Sequence, residues 1–128
     1  MRTIDAPVET VVRPEVFNER HAFDSERVAQ AFHVPIATIA AAIGKPADTV
    51  RRRKSAEGLQ DGLGRLAVVY SDLVALHADD RSAAMRWLNT PNRALKERAR
   101  PRTLLERGQL DVLETLVEAL KHRQPVSR

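Results

Sequence analysis

From Phe23 onward, apolar residues recur at intervals of three and four, the spacing that lines one face of a helix. Val28, Ala31 and Phe32 predict the inward face of a first helix, capped by Asp24 or Ser25 and ending near Phe32. Pro35 opens a second helix that runs through Ile43, where Gly44 stops it. Pro46 predicts the start of a third helix that reaches about Ser55, and the chain is then expected to turn around Gly58, Gly62 and Gly64. The longest periodic run is Leu63, Leu66, Ala67, Tyr70, Leu73 and Val74, which predicts a helix to about His77. Asp79 or Asp80 caps the next helix, which carries Met85, Trp87 and Leu88. Pro91 and Pro101 each predict the first turn of a short helix, with Asn89 and Thr90 as caps for the helix at Pro91. Gly108 permits the turn into a last helix from about Gln109 to His122, which should bury Leu113, Leu116, Val117 and Leu120 and expose Asp111, Glu114 and Glu118.

Residues 1–22 hold Pro7, Pro14 and scattered β-branched residues without a sustained period, the pattern of an arm or a short irregular segment. Nothing keeps the tail helical past Pro125. With no strand pattern and no internal repeat, the predicted class is all-α. Composition agrees: 43% of the 128 residues are hydrophobic, enough for a core. Only Phe17, Phe23, Phe32, Tyr70 and Trp87 are aromatic, so that core is built of Ala, Leu, Val and Ile, which favours packed helices over a sandwich of sheets. The absence of cysteine excludes disulfides, Cys-ligated zinc, iron–sulfur clusters and a thiol nucleophile. No apolar run approaches the roughly 18–20 residues of a membrane span, and the N-terminus lacks a signal-peptide layout, so a soluble intracellular protein with no membrane partner is expected.

Charge changes the picture more by its placement than by its total of +4. Between Gly44 and Lys54, five cations (Lys45, Arg51, Arg52, Arg53, Lys54) stand against Asp48. Between Arg86 and Arg107, seven cations (Arg86, Arg93, Lys96, Arg98, Arg100, Arg102, Arg107) stand against Glu97 and Glu106. These are two basic blocks in an otherwise acidic chain, a pattern shared by solvated faces and by anion-binding sites.

The first block falls inside a candidate helix-turn-helix. A DNA-reading unit of this kind needs a small residue where its helices cross, a glycine in the turn and an apolar lock on the second helix. Counting Ile36 as the first position, the fifth is Ala40, the ninth Gly44 and the fifteenth Val50, with Ile39 and Ile43 facing inward. The second helix then points Ala47, Asp48, Arg51 and Arg52 outward, with Lys54 and Ser55 at its end. Arg51 or Arg52 suits a bidentate contact to a guanine edge. Lys45, Arg53 and Lys54 suit phosphates, which position the protein without specifying sequence. Asp48 favours the helix start; facing DNA, it either accepts from cytosine N4 or reduces affinity. A helical hairpin with a basic solvated face carries the same residues.

The second block lies in a longer pattern: Trp87-Leu88-Asn89-Thr90-Pro91-Asn92-Arg93-Ala94-Leu95, then Arg100-Pro101, Leu104-Leu105-Glu106 and Gly108, then Val112, Leu116 and Leu120. In order and spacing this resembles the toxin-binding domain of the Xre/MbcA/ParS antitoxins, in which a helix-turn-helix precedes the motif; the resemblance covers about residues 25–122. Lys96-Glu97 stands where that family commonly has a glycine. The resemblance implies a cytoplasmic bacterial antitoxin of a type II toxin-antitoxin system, with a helix-turn-helix region over 23–60 and a helical toxin-binding region over 61–128. Its implied partner is a RES-domain toxin that degrades NAD or transfers ADP-ribose from it. The toxin contacts would fall to Trp87, Asn92, Arg93 and Arg100, and, where the last helix and tail occlude the NAD cleft, to Lys121, His122, Arg123, Gln124 and Arg128. A basic tail suits a cleft that holds a pyrophosphate. Operator DNA is the second implied partner, bound for autoregulation by a homodimer whose two-fold axis matches paired half-sites.

No catalytic site is expected. His21, His33, His77 and His122 have no partner at ligand spacing, so no metal centre is expected, and no cofactor is implied. Gly44-Lys45-Pro46 lacks the upstream glycine and the Ser/Thr of a phosphate loop. Asp79-Asp80 and Glu114/Glu118 fit caps and an exposed helix face better than a catalytic pair. The principal alternative is a helix-turn-helix transcription regulator without a toxin partner. A more distant one is an adaptor that binds neither DNA nor toxin.

Overall fold

The computed structural model describes residues 10–123, and it is all-α. Its helices are α1 (Ser25–Phe32), α2 (Ile36–Ile43), α3 (Ala47–Arg52), α4 (Gln60–Leu76), α5 (Arg81–Leu88), α6 (Pro101–Glu106) and α7 (Leu110–Arg123), with short 3-10 turns at Pro14–Val16, Glu57–Leu59 and Lys96–Arg98. No strand forms among the described residues; an isolated antiparallel bridge joins Phe17 to Phe23, whose rings stack 4.7 Å apart.

Local chemistry sets most boundaries. Asp24, rather than Ser25, caps α1: its Oδ1 accepts from the amides of Glu26 and Arg27 at 3.0 and 3.1 Å, which satisfies two orphan donors of the first turn. Gly44 ends α2 in the left-handed conformation at φ 69°, which costs a residue without a Cβ little. Asp80, rather than Asp79, caps α5 by accepting from the amide of Ala83. Pro101 opens α6 as expected.

Four expectations are corrected. The third helix ends at Arg52, not near Ser55, because Arg53 leaves the helical region (φ −117°, ψ 65°) and the Lys54 carbonyl accepts from the Ser25 amide at 2.8 Å instead of continuing a helix. Gly62 and Gly64 form no turn; they lie in the first turns of α4, where close packing requires them. A Cβ on Gly62 would sit 2.7 Å from the Ile43 Cβ, and one on Gly64 3.0 Å from the Phe23 ring. No helix starts at Pro91. Asn89 and Thr90 do not cap forward but fold back, their side chains donating to the Met85 and Arg86 carbonyls in the last turn of α5. On α7, Leu110, Leu113 and Val117 are buried while Leu116 and Leu120 are only half-buried, and Glu114 is drawn into a bidentate pair with Arg65 at 2.6 and 2.9 Å.

Two helices organise the packing. The face Leu63, Leu66, Ala67, Tyr70, Leu73 and Val74 makes α4 the centre, packed against α1, α2, α5 and α7. In turn α2 touches α1, α3, α4 and α6. A single buried cluster therefore runs from Val16 to Val117. The segment from Thr10 to Ala22 joins it: Val16 is fully buried, Ser71 Oγ accepts from the Arg13 amide, and Thr10 Oγ1 donates to Asp72.

Candidate functional site

The first candidate surface is α3 and the turn before it. Val50 is fully buried and Ala40 nearly so, which seats α3 against α2. The helix packs on α1 and α2 and leaves Asp48, Thr49, Arg51 and Arg52 exposed, with Ala47 half-buried at its start. The seating is reinforced from α1, where the buried Ser25 hydroxyl donates to the Val50 carbonyl at 2.7 Å. Neither end of that bond carries a local sequence signal, since the partners stand 25 positions apart.

The basic residues divide by what they face. Lys54 Nζ lies 2.6 Å from Glu26 Oε1, and that hydrogen bond together with the Glu26 charge raises the lysine pKa. Ser55 Oγ accepts from Asn18 Nδ2 at 2.9 Å and donates to Asp24 Oδ2 at 3.4 Å. Gln60 clasps the backbone of Phe23 at both its amide and its carbonyl, at 2.9 Å each. Lys54 thus ties the chain just past α3 to α1, and Ser55 ties it to the segment before α1. On the exposed face, Asp48 pairs with Arg52 at 3.3 Å, one helical turn apart. Among the described residues, Lys45, Arg51 and Arg53 meet no carboxylate.

The second candidate surface begins at Trp87 in the last turn of α5 and continues over residues 89–100 as a loop with one 3-10 turn at Lys96–Arg98. Trp87 is half-buried and packs against the core. Asn92 closes the loop: its amide donates to the Ala99 carbonyl at 3.0 Å and its Oδ1 accepts from the Ala94 amide at 2.9 Å. Glu97 and Arg98 are both left-handed, at φ 57° and 54°, the conformation that glycine favours. Arg93 and Arg100 are exposed, Arg100 just before α6.

The predicted residues of the last helix are brought elsewhere. Lys121 Nζ lies 3.4 Å from both Asp72 and Glu118. Partial burial opposes its charge, but the two carboxylates prevail and raise its pKa. It lines an open groove of about 730 Å³ with Thr10–Pro14, Ser71, Asp72 and Asp79; none of Trp87, Asn92, Arg93 or Arg100 lines that groove. His122 and Arg123 are exposed at the end of α7, and Gln124 and Arg128 lie outside the described residues. Among the described residues, no cluster of three metal-ligating side chains forms and no helix is long and apolar enough to cross a membrane.

Comparison of the chain with protein-family models, with curated proteins and with solved structures returns no match.

Proposed function

We propose that this protein is an antitoxin that binds its own operator through α3 and neutralises an NAD-using RES-domain toxin through its C-terminal half. The observation that carries the DNA arm is the exposed set of Lys45, Arg51 and Arg53, which meet no described carboxylate, on a short helix braced from behind by α2 and by the Ser25–Val50 hydrogen bond. In this reading α3 is the recognition helix of a helix-turn-helix and Gly44 its turn. Arg51 reads a base edge, and Arg52 does so once it releases Asp48. A homodimer would double the phosphate contacts and match two half-sites.

The toxin arm rests on the resemblance of residues 87–108 to the antitoxin motif. Its contacts are Trp87 at the end of α5, Asn92, Arg93 and Arg100 on the pinned loop, and the basic end of α7 with the tail beyond it. Lys121 takes part by leaving Asp72 for an anion in the toxin cleft. No catalytic step is assigned to the protein itself.

The test is co-expression with the adjacent open reading frame, copurification, and an NAD-consumption assay of the partner with and without this protein. A stable complex with suppressed NAD turnover supports the antitoxin. Absence of both leaves the second reading, a transcription regulator without a toxin partner, which the same α3 geometry serves.

A further inference from the structure

We propose that the second basic block is a DNA-backbone contact in its own right, carried by Lys96, Arg98 and Arg107, which extends the footprint of α3 along the duplex. The inference rests on the DNA-binding reading above and goes beyond it, since none of these three residues belongs to the helix-turn-helix or to the toxin contacts.

Ion pairing sets these cations apart from those that are neutralised within the fold. Arg13, Arg65, Arg81, Arg102 and Lys121 each face a carboxylate within 3.5 Å. Among the described residues, Lys96, Arg98 and Arg107 face none, and all three are exposed. Outside the α3 block, the unpaired positive charge of the described residues is concentrated between Arg86 and Arg107.

The block is also held in shape. Besides the Asn92–Ala99 closure, the Leu95 amide donates to Asn92, the Arg98 amide to Leu95 and the Ala99 amide to Lys96, at 3.0–3.1 Å. Leu95 packs against the core and anchors the loop from inside. That scaffold keeps Glu97 and Arg98 in the left-handed region, a conformation an unsupported loop would abandon. A cation on a fixed loop loses little freedom when it meets an anion.

What the block lacks identifies the class of partner. The centre of a protein–protein interface needs aromatic or aliphatic anchors. Among the described residues, the exposed large apolar side chains are Val11, Val68 and Val112, none of them on this loop. Cations without an apolar anchor suit a polyanion whose charges repeat, such as a phosphate backbone.

The fold brings the Arg107 end of the block up to α2, the helix on which α3 is seated. Both α3 and α6 pack on α2, so their axes stand no more than about two interhelical distances, roughly 20 Å, apart. The approach is close at the Arg107 end of α6: a Cβ on the neighbouring Gly108 would lie 3.0 Å from the Ala41 carbonyl oxygen of α2. Over an interval of that size, duplex DNA presents a charge about every 1.7 Å.

The experiment measures binding of the full chain to two labelled duplexes of equal length, one from the region upstream of its own gene and one of shuffled sequence, between about 0.05 and 0.3 M salt. The triple variant Lys96→Gln, Arg98→Gln, Arg107→Gln should flatten the plot of log affinity against log salt by about 0.9 for each phosphate it no longer neutralises. It should weaken both duplexes by the same factor, on the order of tenfold, leaving their ratio unchanged. The version with Lys at 98 and 107 and Lys96 intact should recover the slope, because a phosphate accepts a point charge. A triple variant with the wild-type slope, while Arg51→Glu/Arg52→Glu abolishes binding, overturns this inference and leaves the α3 reading standing. The same slope with loss of the copurifying protein reassigns the block to a protein partner and equally overturns it. A wild-type chain that binds neither duplex removes both readings together.

Discussion

The phenol of Tyr70, in the middle of α4, donates a hydrogen bond of 2.7 Å to the carboxylate of Glu15, 55 positions earlier in the chain. Glu15 is also approached by Arg81 at 3.1 Å and Arg13 at 3.5 Å. The Tyr70 ring is almost wholly buried and meets Phe32 edge-on at 5.6 Å. The relationship fastens the segment before α1 onto the central helix. That segment in turn supplies Asn18 and Asp24 to Ser55, just past α3, and Phe23 to Gln60 at the start of α4, so this polar contact supports the segment that braces α3.

Tyr70→Phe should therefore destabilise the protein by about 1–2 kcal/mol, since it removes a hydrogen bond to a charged group and leaves the ring in place. Urea denaturation measures the change; a variant as stable as wild type would mean that water replaces the bond at no cost.

The same pair shapes the dependence on pH. Burial and then the Glu15 hydrogen bond push the Tyr70 phenol up to about 12, against about 10 in the unfolded chain. Folding thus favours the protonated phenol, and stability should hold up to pH 10 and fall as pH rises from 10 through 12. Glu15 has the opposite sign. Burial opposes its charge, but Tyr70, Arg81 and Arg13 outweigh it and lower its pKa below the ordinary 4.5. Its contribution is present above that value and is lost as pH falls through the folded pKa. In Tyr70→Phe both losses should shrink, and the acid loss should be complete at a higher pH because Glu15 is less depressed, which thermal melts across pH resolve.

Gly62→Ala sets helix propensity against packing. Alanine gains about 1 kcal/mol over glycine inside a helix. A Cβ 2.7 Å from the Ile43 Cβ forces a displacement where α4 crosses α2, and overpacking costs about 1–3 kcal/mol. The net expectation is destabilisation of up to about 2 kcal/mol. Gly58→Ala, whose Cβ meets open space, is the control and should stay within about 0.5 kcal/mol of wild type. Equal melting curves for the two variants would refute the close approach.

Ser25→Ala leaves the Val50 carbonyl without its buried donor and should cost about 1–3 kcal/mol. Because that bond seats α3, DNA affinity should fall as well. Arg51→Ala should lower DNA affinity with the melting temperature unchanged, because the side chain is exposed and meets no described carboxylate. A variant at Arg51 that melts early but binds DNA normally would reverse the division of roles between scaffold and contact.

Deleting residues 121–128 should restore NAD turnover by the copurified toxin even where the complex still forms. Lys121→Ala, which removes only the charge that meets Asp72, separates the loss of that anchor from the loss of the tail. Full inhibition by the truncated chain would discard occlusion by the C-terminus.

Much of the fold was legible because its signals are local. Asp24, Gly44, Asp80 and Pro101 act on backbone groups within a turn, and the Leu63–Val74 face follows from the helical period alone. The departures share one cause. Gly62 and Gly64 look like turn residues to any local rule, and only the Ile43 and Phe23 side chains packed against them explain why α4 carries glycine there. Pro91 looks like a helix start, but Asn89 and Thr90 answer to the carbonyls of the preceding helix.

For the candidate site the division is similar. The two basic blocks, the small-residue and glycine positions of α2 and the turn, and the burial of Val50 follow from sequence. Which cations remain available does not. Lys54 and Arg53 are neighbours, yet Glu26 claims the first and no described carboxylate claims the second. Helix position and amphipathicity are determined by residues within about four places of one another, so the sequence by itself determined them. Ion pairing, close helix approach and the joining of Thr10–Ala22 to the core depend on atoms brought together from tens of residues apart, and only the tertiary structure decides those.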